Sequence, residues 1–272
     1  IGGPEDPGPM KTIPSDKYSA LFEGEAGHYE KSRKKGIRSA YLPLGMVTPQ
    51  RAKVYGFPYN AWMHNVTDSM SSSPKKMATF GKKLANRLSK AKKVHITSKQ
   101  GTDLTFRLGK RNVFTYDGIL SDADIKQGNT FVTLPSGEVG VAPLENSAVG
   151  TVVFDVPQPS TGKLVRNMKW TFKKGKLTKF QASSNVRALK DFYDNGHGDK
   201  DRIGYFGIGI NPKAKTGFLM NSIANGAVTI GIGGNVGVGG KNKSDYETAG
   251  TMSKATVELD GKVIIKNGKF TI

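Results

Sequence analysis

Catalysis needs side chains that ionise, ligate or attack, and this chain arranges few of them at telling spacings. It has no Cys, which excludes disulfides, thiolate metal sites and a thiol nucleophile. Its four His are His28, His64, His95 and His197. They fall in separate segments with neither HxH nor HxxxH spacing, so no two of them share one face as a ligand pair. His197 lies in the polar loop Asn195-Gly-His-Gly-Asp199 and is the one imidazole to test as a metal ligand. The run Gly231-Ile-Gly-Gly-Asn-Val-Gly-Val-Gly-Gly-Lys241 has the glycine density of a phosphate-cradling loop. Lys241 is followed by Asn242 rather than Ser or Thr, however, and the run does not read as a strand-to-helix turn, so no nucleotide site is assigned.

Charge is the other chemical signal. The chain carries 41 Lys+Arg against 22 Asp+Glu, a net +19 in 272 residues. An excess of that size favours polyanions such as nucleic acid, anionic lipid or acidic glycans; a self-repelling, solvated surface is the alternative. The densest basic groups are Lys31, Arg33, Lys34, Lys35 and Arg38, then Lys75, Lys76, Lys82, Lys83, Arg87, Lys90, Lys92 and Lys93. Asn65-Val-Thr67 and Asn242-Lys-Ser244 fit the glycosylation triplet. No apolar run approaches the ~18 residues of a transmembrane helix. The chain begins Ile1-Gly-Gly-Pro without Met, which points to a processed or trimmed product.

Elements that position these groups follow from periodicity. Residues 1–15 read as a Pro- and Gly-rich arm, 17–36 as a helix ending at Gly36, and 39–44 as a short strand. Thr48-Pro49 starts a helix, with a capping hydroxyl before a proline, and residues 59–72 form another. From Pro74 the apolar set Met77, Phe80, Leu84, Leu88 and Ala91 recurs every three or four residues, which predicts an amphipathic, strongly basic helix over 74–92. After Lys93 the period becomes two. Strands are expected at 94–97, 104–108, 129–134, 150–156, 168–173, 177–182, 204–210, 227–232, 255–259 and 262–266, with one helix over about 184–194. The predicted class is α+β, with an N-terminal remnant over 1–47 and a domain over 48–272 (helices 48–93, β-rich 94–272).

Several ordered blocks resemble the aminopeptidase T family of two-metal aminopeptidases. They are Thr97-Ser-Lys-Gln-Gly-Thr-Asp-Leu-Thr-Phe-Arg-Leu108, Leu134-Pro-Ser-Gly-Glu-Val139 with Ala142-Pro143 and Ser147-Ala-Val-Gly150, and Gly207-Ile-Gly-Ile-Asn-Pro212. Gly226-Ala-Val-Thr-Ile-Gly-Ile-Gly233 and Val257-Glu-Leu-Asp-Gly-Lys-Val-Ile-Ile265 complete the set. The resemblance covers roughly residues 37–272 and implies that family's β-rich C-terminal domain under a helical N-terminal layer, with its larger N-terminal domain largely absent. It also implies two divalent metals held by carboxylates and imidazoles. The first ligand position matches Glu138. The others fall at Tyr205, at Thr229, and near Glu247 and Ala249, so most of the metal site is lost, leaving Glu138 as a vestige with Glu247 and His197 as further candidates.

The function this resemblance implies is a catalytically degenerate, aminopeptidase-like protein used for structure, assembly or binding, in contact with polyanions. No catalytic residue and no cofactor are then expected, and Glu138 reads as a β-turn carboxylate. One alternative is an active aminopeptidase whose remodelled site holds Zn, Co or Mn. A second is a nucleic-acid-binding protein that uses the basic helix 74–93. The partner expected is a second copy, or another protein, on the face left by the missing domain. The family points to the cytoplasm.

Overall fold

The computed structural model describes residues 34–126 and 129–272, with positions 6, 8, 12–14, 17 and 31. The arm over 1–15 and the helix expected over 17–36 lie largely outside the described residues, as does Arg33. The helices are α1 (Pro49–Tyr55), α2 (Tyr59–Met70), α3 (Pro74–Lys90), α4 (Asp122–Lys126) and α5 (Arg187–Asn195). Two of them start as their sequence dictates. The Thr48 hydroxyl accepts from the Arg51 amide at 3.1 Å, the Ser73 hydroxyl from the Lys76 amide at 3.4 Å, and a proline follows each cap.

Strands follow in the order β1 (Ser39–Tyr41), β2 (Lys93–Thr97), β3 (Asp103–Arg107), β4 (Val113–Tyr116), β5 (Phe131–Thr133), β6 (Glu138–Val141), β7 (Val149–Val153), β8 (Gln158–Ser160) and β9 (Lys163–Val165). Then come β10 (Lys169–Lys173), β11 (Lys176–Gln181), β12 (Ile203–Gly209), β13 (Val228–Gly233), β14 (Glu247–Met252), β15 (Thr256–Leu259), β16 (Lys262–Lys266) and β17 (Lys269–Phe270). Among the described residues they form an eight-stranded sheet, β11-β10-β7-β3-β2-β15-β16-β17, and a five-stranded sheet, β14-β13-β12-β6-β4. Pairing is antiparallel in both. The short β1–β5 pair is parallel.

These two sheets face each other through one apolar core. Alternation puts Val94, Ile96, Leu104, Phe106, Trp170 and Phe172 inward from the larger sheet. Val139, Val141, Phe206, Ile208, Val228, Ile230 and Met252 come inward from the smaller. Phe106 meets Phe206 edge to face across the gap, with centroids 5.2 Å apart. Helix α3 packs its Met77, Gly81, Leu84 and Leu88 stripe on this core and lies against β4 and β6. Its Phe80 meets Phe270 of β17 at 4.8 Å, so the helix spans from the small sheet to the large one. The lysines of α3 all lie on its exposed side; Arg87 is half-buried.

A second, smaller core has Val47, Ala52, Trp62 and Val66 at its centre, with Phe57, Phe218 and Leu219 packed on it. It ties α1 and α2 to the loop around 213–224. Both glycosylation-type asparagines are buried and hydrogen-bonded: Asn65 to the Lys215 backbone, Asn242 to the carbonyls of Ile203 and Gly233. The folded chain therefore does not present them. No helix among the described residues is long and apolar enough to cross a membrane.

Leu84 has no exposed surface and sits where α3 meets the core. Leu84→Ala is expected to destabilise the chain by about 2–5 kcal/mol through lost burial and a residual cavity, read as a lower urea midpoint with an unchanged slope.

Candidate active site

The five-stranded sheet has two unlike faces. One is the apolar core face. On the other, alternation and register bring Tyr116, Glu138, Gly140, Tyr205, Gly207, Thr229, Gly231, Ala249 and Thr251 together. This face floors a cavity of about 500 Å³, within the size range of small-molecule sites. Phe131, Thr133, Pro135 and Ser136 wall it from one side and the segment Leu219–Ile223 from another.

Glycine makes room for the two central side chains. A Cβ on Gly140 would collide with the Tyr205 hydroxyl, and a Cβ on Gly207 with both Oε1 of Glu138 and the Tyr205 ring. Tyr205 therefore lies across the sheet beside the carboxyl. Glu138 is paired in register with Tyr116, and its Oε2 accepts from Ser222 Oγ at 3.2 Å. Oε1 is buried, and the Tyr205 phenol lies against the carboxyl. Thr229 and Thr251 share a hydrogen bond at 3.2 Å on the same floor.

Burial dominates the electrostatics. It pushes the Glu138 carboxyl up to about 7, against the opposing pull of hydrogen bonding from Ser222 and the neighbouring Tyr205 phenol. The residue keeps some accessible surface because it fronts the cavity, while its charge-bearing end is shut away from solvent. Burial and the nearby carboxylate raise Tyr116 to about 12 and push Tyr205 well above the ordinary phenol value, so both phenols stay protonated near neutrality.

Asn211 fixes the height of the floor. It is fully buried; its amide donates to the carbonyls of Ser69 and Ser136, and its Oδ1 accepts from Ser72 Oγ at 2.7 Å and from the Lys213 and Ala214 amides. It thus joins the α2–α3 junction to the strap Leu134–Gly137 that leads into Glu138. Asn221 does the same for the opposite wall, accepting from the amides of Gly217 and Phe218 and donating to the Phe218 carbonyl. Ser222 is thereby held over Glu138.

Residues singled out in the sequence fall in different places. Glu138 opens strand β6 and is not in a turn; four residues interrupted by Gly140 hid the strand. Tyr205, Thr229 and Ala249, the positions left by absent ligands, do line the same cavity as Glu138. Glu247 lies at the far end of β14, opposite Gly233. His197 is exposed and pairs through Nδ1 with Asp245 at 2.8 Å. No group of three His, Asp or Glu able to hold a metal is present among the described residues. Lys75, Lys76, Lys82, Lys83, Lys90, Lys92 and Lys93 are exposed, as are Lys31, Lys34, Lys35 and Arg38, the last paired with Asp122. Tyr116, Phe131 and Ser222 were not foreseen; the polar pair Asn221-Ser222 between Met220 and Ile223 was the available signal.

Fold and cavity together define a small-molecule site on an antiparallel α+β scaffold. The profile of the family described as NicX, 2,5-dihydroxypyridine 5,6-dioxygenase, matches residues 69–272, and the chain belongs to that family. The 2,5-dihydroxypyridine 5,6-dioxygenase of Pseudomonas putida (strain KT2440) is 26% identical over 197 residues, 66% of this chain and 55% of the relative. The aminopeptidase PepS of Streptococcus thermophilus is 31% identical over 106 residues, 39% of this chain and 24% of its own length. Among solved structures, 2,5-dihydroxypyridine dioxygenase from Pseudomonas putida KT2440 has a TM-score of 0.62 at 23% identity, covering 76% of this chain and 62% of that one. AmpT from Thermus thermophilus also has 0.62, at 16% identity, covering 82% and 60%. The chain spans between about a quarter and three fifths of the proteins it matches.

These findings correct the aminopeptidase T assignment, the aminopeptidase T-like fold expectation and the functions drawn from them, including the degenerate scaffold, the metallopeptidase and the nucleic-acid-binding readings. The quoted blocks are strands and turns whose glycines the sheet packing requires whatever chemistry it carries, so they report scaffold rather than family.

Dioxygen chemistry at a ring commonly uses iron held by two His and one carboxylate. Among the described residues the cavity offers one carboxylate, two protonated phenols and neutral hydroxyls, with no imidazole in its lining. The residues present do not fit such an ion.

Two predictions follow from this geometry. Asn211→Ala strands the Ser72 hydroxyl, two carbonyls and two amides, and is expected to cost at least about 2 kcal/mol in urea unfolding. For Glu138, the folded pKa lies above the ordinary 4.5, so the folded chain binds the extra proton between about pH 4.5 and 7. Stability then falls as pH rises through that window, by up to about 3 kcal/mol. Glu138→Gln is expected to flatten that decline when unfolding is measured at pH 4.5 and pH 8.

Proposed function

We propose that this chain binds and acts on a small hydroxylated nitrogen heterocycle, the substrate class in the description of its family. The observation that carries this reading is a cavity of about 500 Å³ in which the Glu138 side chain is flanked by the rings of Tyr116, Phe131 and Tyr205. Phe131, Tyr116 and Tyr205 supply flat surfaces suited to a planar ring. Thr229 and Thr251 add hydroxyls for a second polar substituent. The dioxygenase activity named in the family's description is supported here by family membership. The cavity's own side chains support recognition of the ring.

Anaerobic titration of the purified chain with 2,5-dihydroxypyridine, followed by the ring's ultraviolet absorbance, tests the reading. Saturable binding is expected, weakened about 10- to 100-fold in Glu138→Gln through loss of a charge-assisted hydrogen bond. A wild-type chain that shows no saturation with this ring defeats it.

A further inference from the structure

Several polar groups that line the cavity are already committed. The Glu138 carboxyl is taken up by Ser222 and the Tyr205 phenol. The Asn221 carboxamide is used on the amides of Gly217 and Phe218 and on the Phe218 carbonyl. Gln158 differs. It fronts the cavity, half-buried, and its carboxamide has no hydrogen-bond partner among the described residues. Its backbone, by contrast, is held from both sides. Before it, the Asp155 carboxylate accepts from the Ser253 amide at 2.7 Å and the Ser253 hydroxyl at 2.8 Å, and the Val156 amide donates to the Thr251 carbonyl at 3.4 Å. After it, the β8–β9 hairpin pairs Gln158 with Val165, which is buried in the core. Ser160 ties the hairpin to α5 by donating to the Ala188 carbonyl, and the Gly162 amide ties it to α1 by donating to the Tyr55 hydroxyl at 3.3 Å. A fixed backbone under an uncommitted carboxamide sets an N–H donor and a C=O acceptor side by side at the cavity wall.

We propose that Gln158 is a specificity-determining residue that reads the lactam edge of the ring, so that the site takes a hydroxylated nitrogen heterocycle in its 2-pyridone form. This rests on the ring-binding reading. In water, a hydroxyl on the carbon next to the ring nitrogen passes its proton to that nitrogen, which leaves an N–H and a C=O on one edge. The carboxamide matches that edge with two parallel hydrogen bonds. Its Oε1 accepts from the ring N–H and its Nε2 donates to the ring C=O, as Asn and Gln do with an adjacent donor and acceptor on a base edge. A site built in this way rejects a ring that lacks one of the two groups, because the partner left behind is unmatched and out of water.

The test is anaerobic calorimetric titration of the full chain with 2,5-dihydroxypyridine and with 5-hydroxy-1-methyl-2-pyridone, which keeps the C=O and carries a methyl group in place of the N–H. The wild type is expected to bind the methylated ring about 10- to 100-fold more weakly. Gln158→Met keeps the length of the side chain and removes both polar groups. In this variant the two rings are expected to bind within about threefold of each other, both near the weak wild-type value. If circular dichroism shows Gln158→Met misfolded, Gln158→Leu is read in its place. Equal binding of both rings by the wild type overturns this inference and leaves the ring-binding reading standing. Discrimination that persists unchanged in the folded variant also overturns it, since a clash with the methyl group then accounts for the difference. No saturation of the wild type by 2,5-dihydroxypyridine overturns both.

Discussion

Everything at this site depends on how closely side chains approach the backbone of the five-stranded sheet. A strand face normally carries a side chain at every second residue. Here Gly140, Gly207 and Gly231 leave that face bare in the middle, and the vacated layer is filled by the ring of Tyr205 and the carboxyl of Glu138. Because the opposite face is already committed to the core through Val139, Val141, Phe206 and Ile230, the strands cannot shift register to relieve a clash. A one-residue slip would drive the apolar set into the cavity and the acid into the core. The core thus holds the acid in place as firmly as its own hydrogen bonds do.

The cavity's walls rest on a different structure. The small core around Trp62, with Phe57 edge-on to both Trp62 and Phe218 at 5.4 Å, anchors the loop that carries Asn221 and Ser222. Asn211 links the same helical region to the strap before Glu138. Helices α1 and α2 therefore act on the site at one remove. They do not line it, but they fix both the group that donates to Glu138 and the segment that delivers Glu138 to its strand.

Much of the scaffold was legible in the sequence, and much of the site was not. Met77, Phe80, Leu84 and Leu88 define α3 because a helix buried on one side must repeat its apolar residues near 3.6. Val94–Ile96 and Leu104–Phe106 define β2 and β3 for the matching reason at period two. Strands β4, β6 and β14 escaped, and these build most of the site. Glu-Val-Gly-Val and Glu-Thr-Ala-Gly-Thr-Met carry glycine and polar residues on the cavity face, which erases the alternation a half-solvated strand would show. Glu138 was found through its flanking motif yet misread as a turn residue, since nothing in six residues reveals a sheet that forms from strands over a hundred residues apart. Ser222 and Tyr116 are ordinary residues made significant only by distance to that carboxyl.

A scaffold with equal likeness to an aminopeptidase and to a ring dioxygenase explains why ordered sequence blocks pointed to the wrong family. The blocks are the parts of the chain under steric constraint: glycine where a neighbouring strand or ring comes close, asparagine where one side chain must satisfy several backbone groups. Such constraints persist when the chemistry changes, because they come from the packing of the sheet. The residues that face the cavity are under no such constraint and follow the ligand instead. In this chain they are a carboxylate whose acidity burial has weakened to near neutrality, two phenols held protonated and a pair of threonine hydroxyls. Among the described residues the cavity lining has neither the imidazoles nor the second carboxylate to share a metal, so on this shared fold the character of the site is set by five side chains on one face of one sheet.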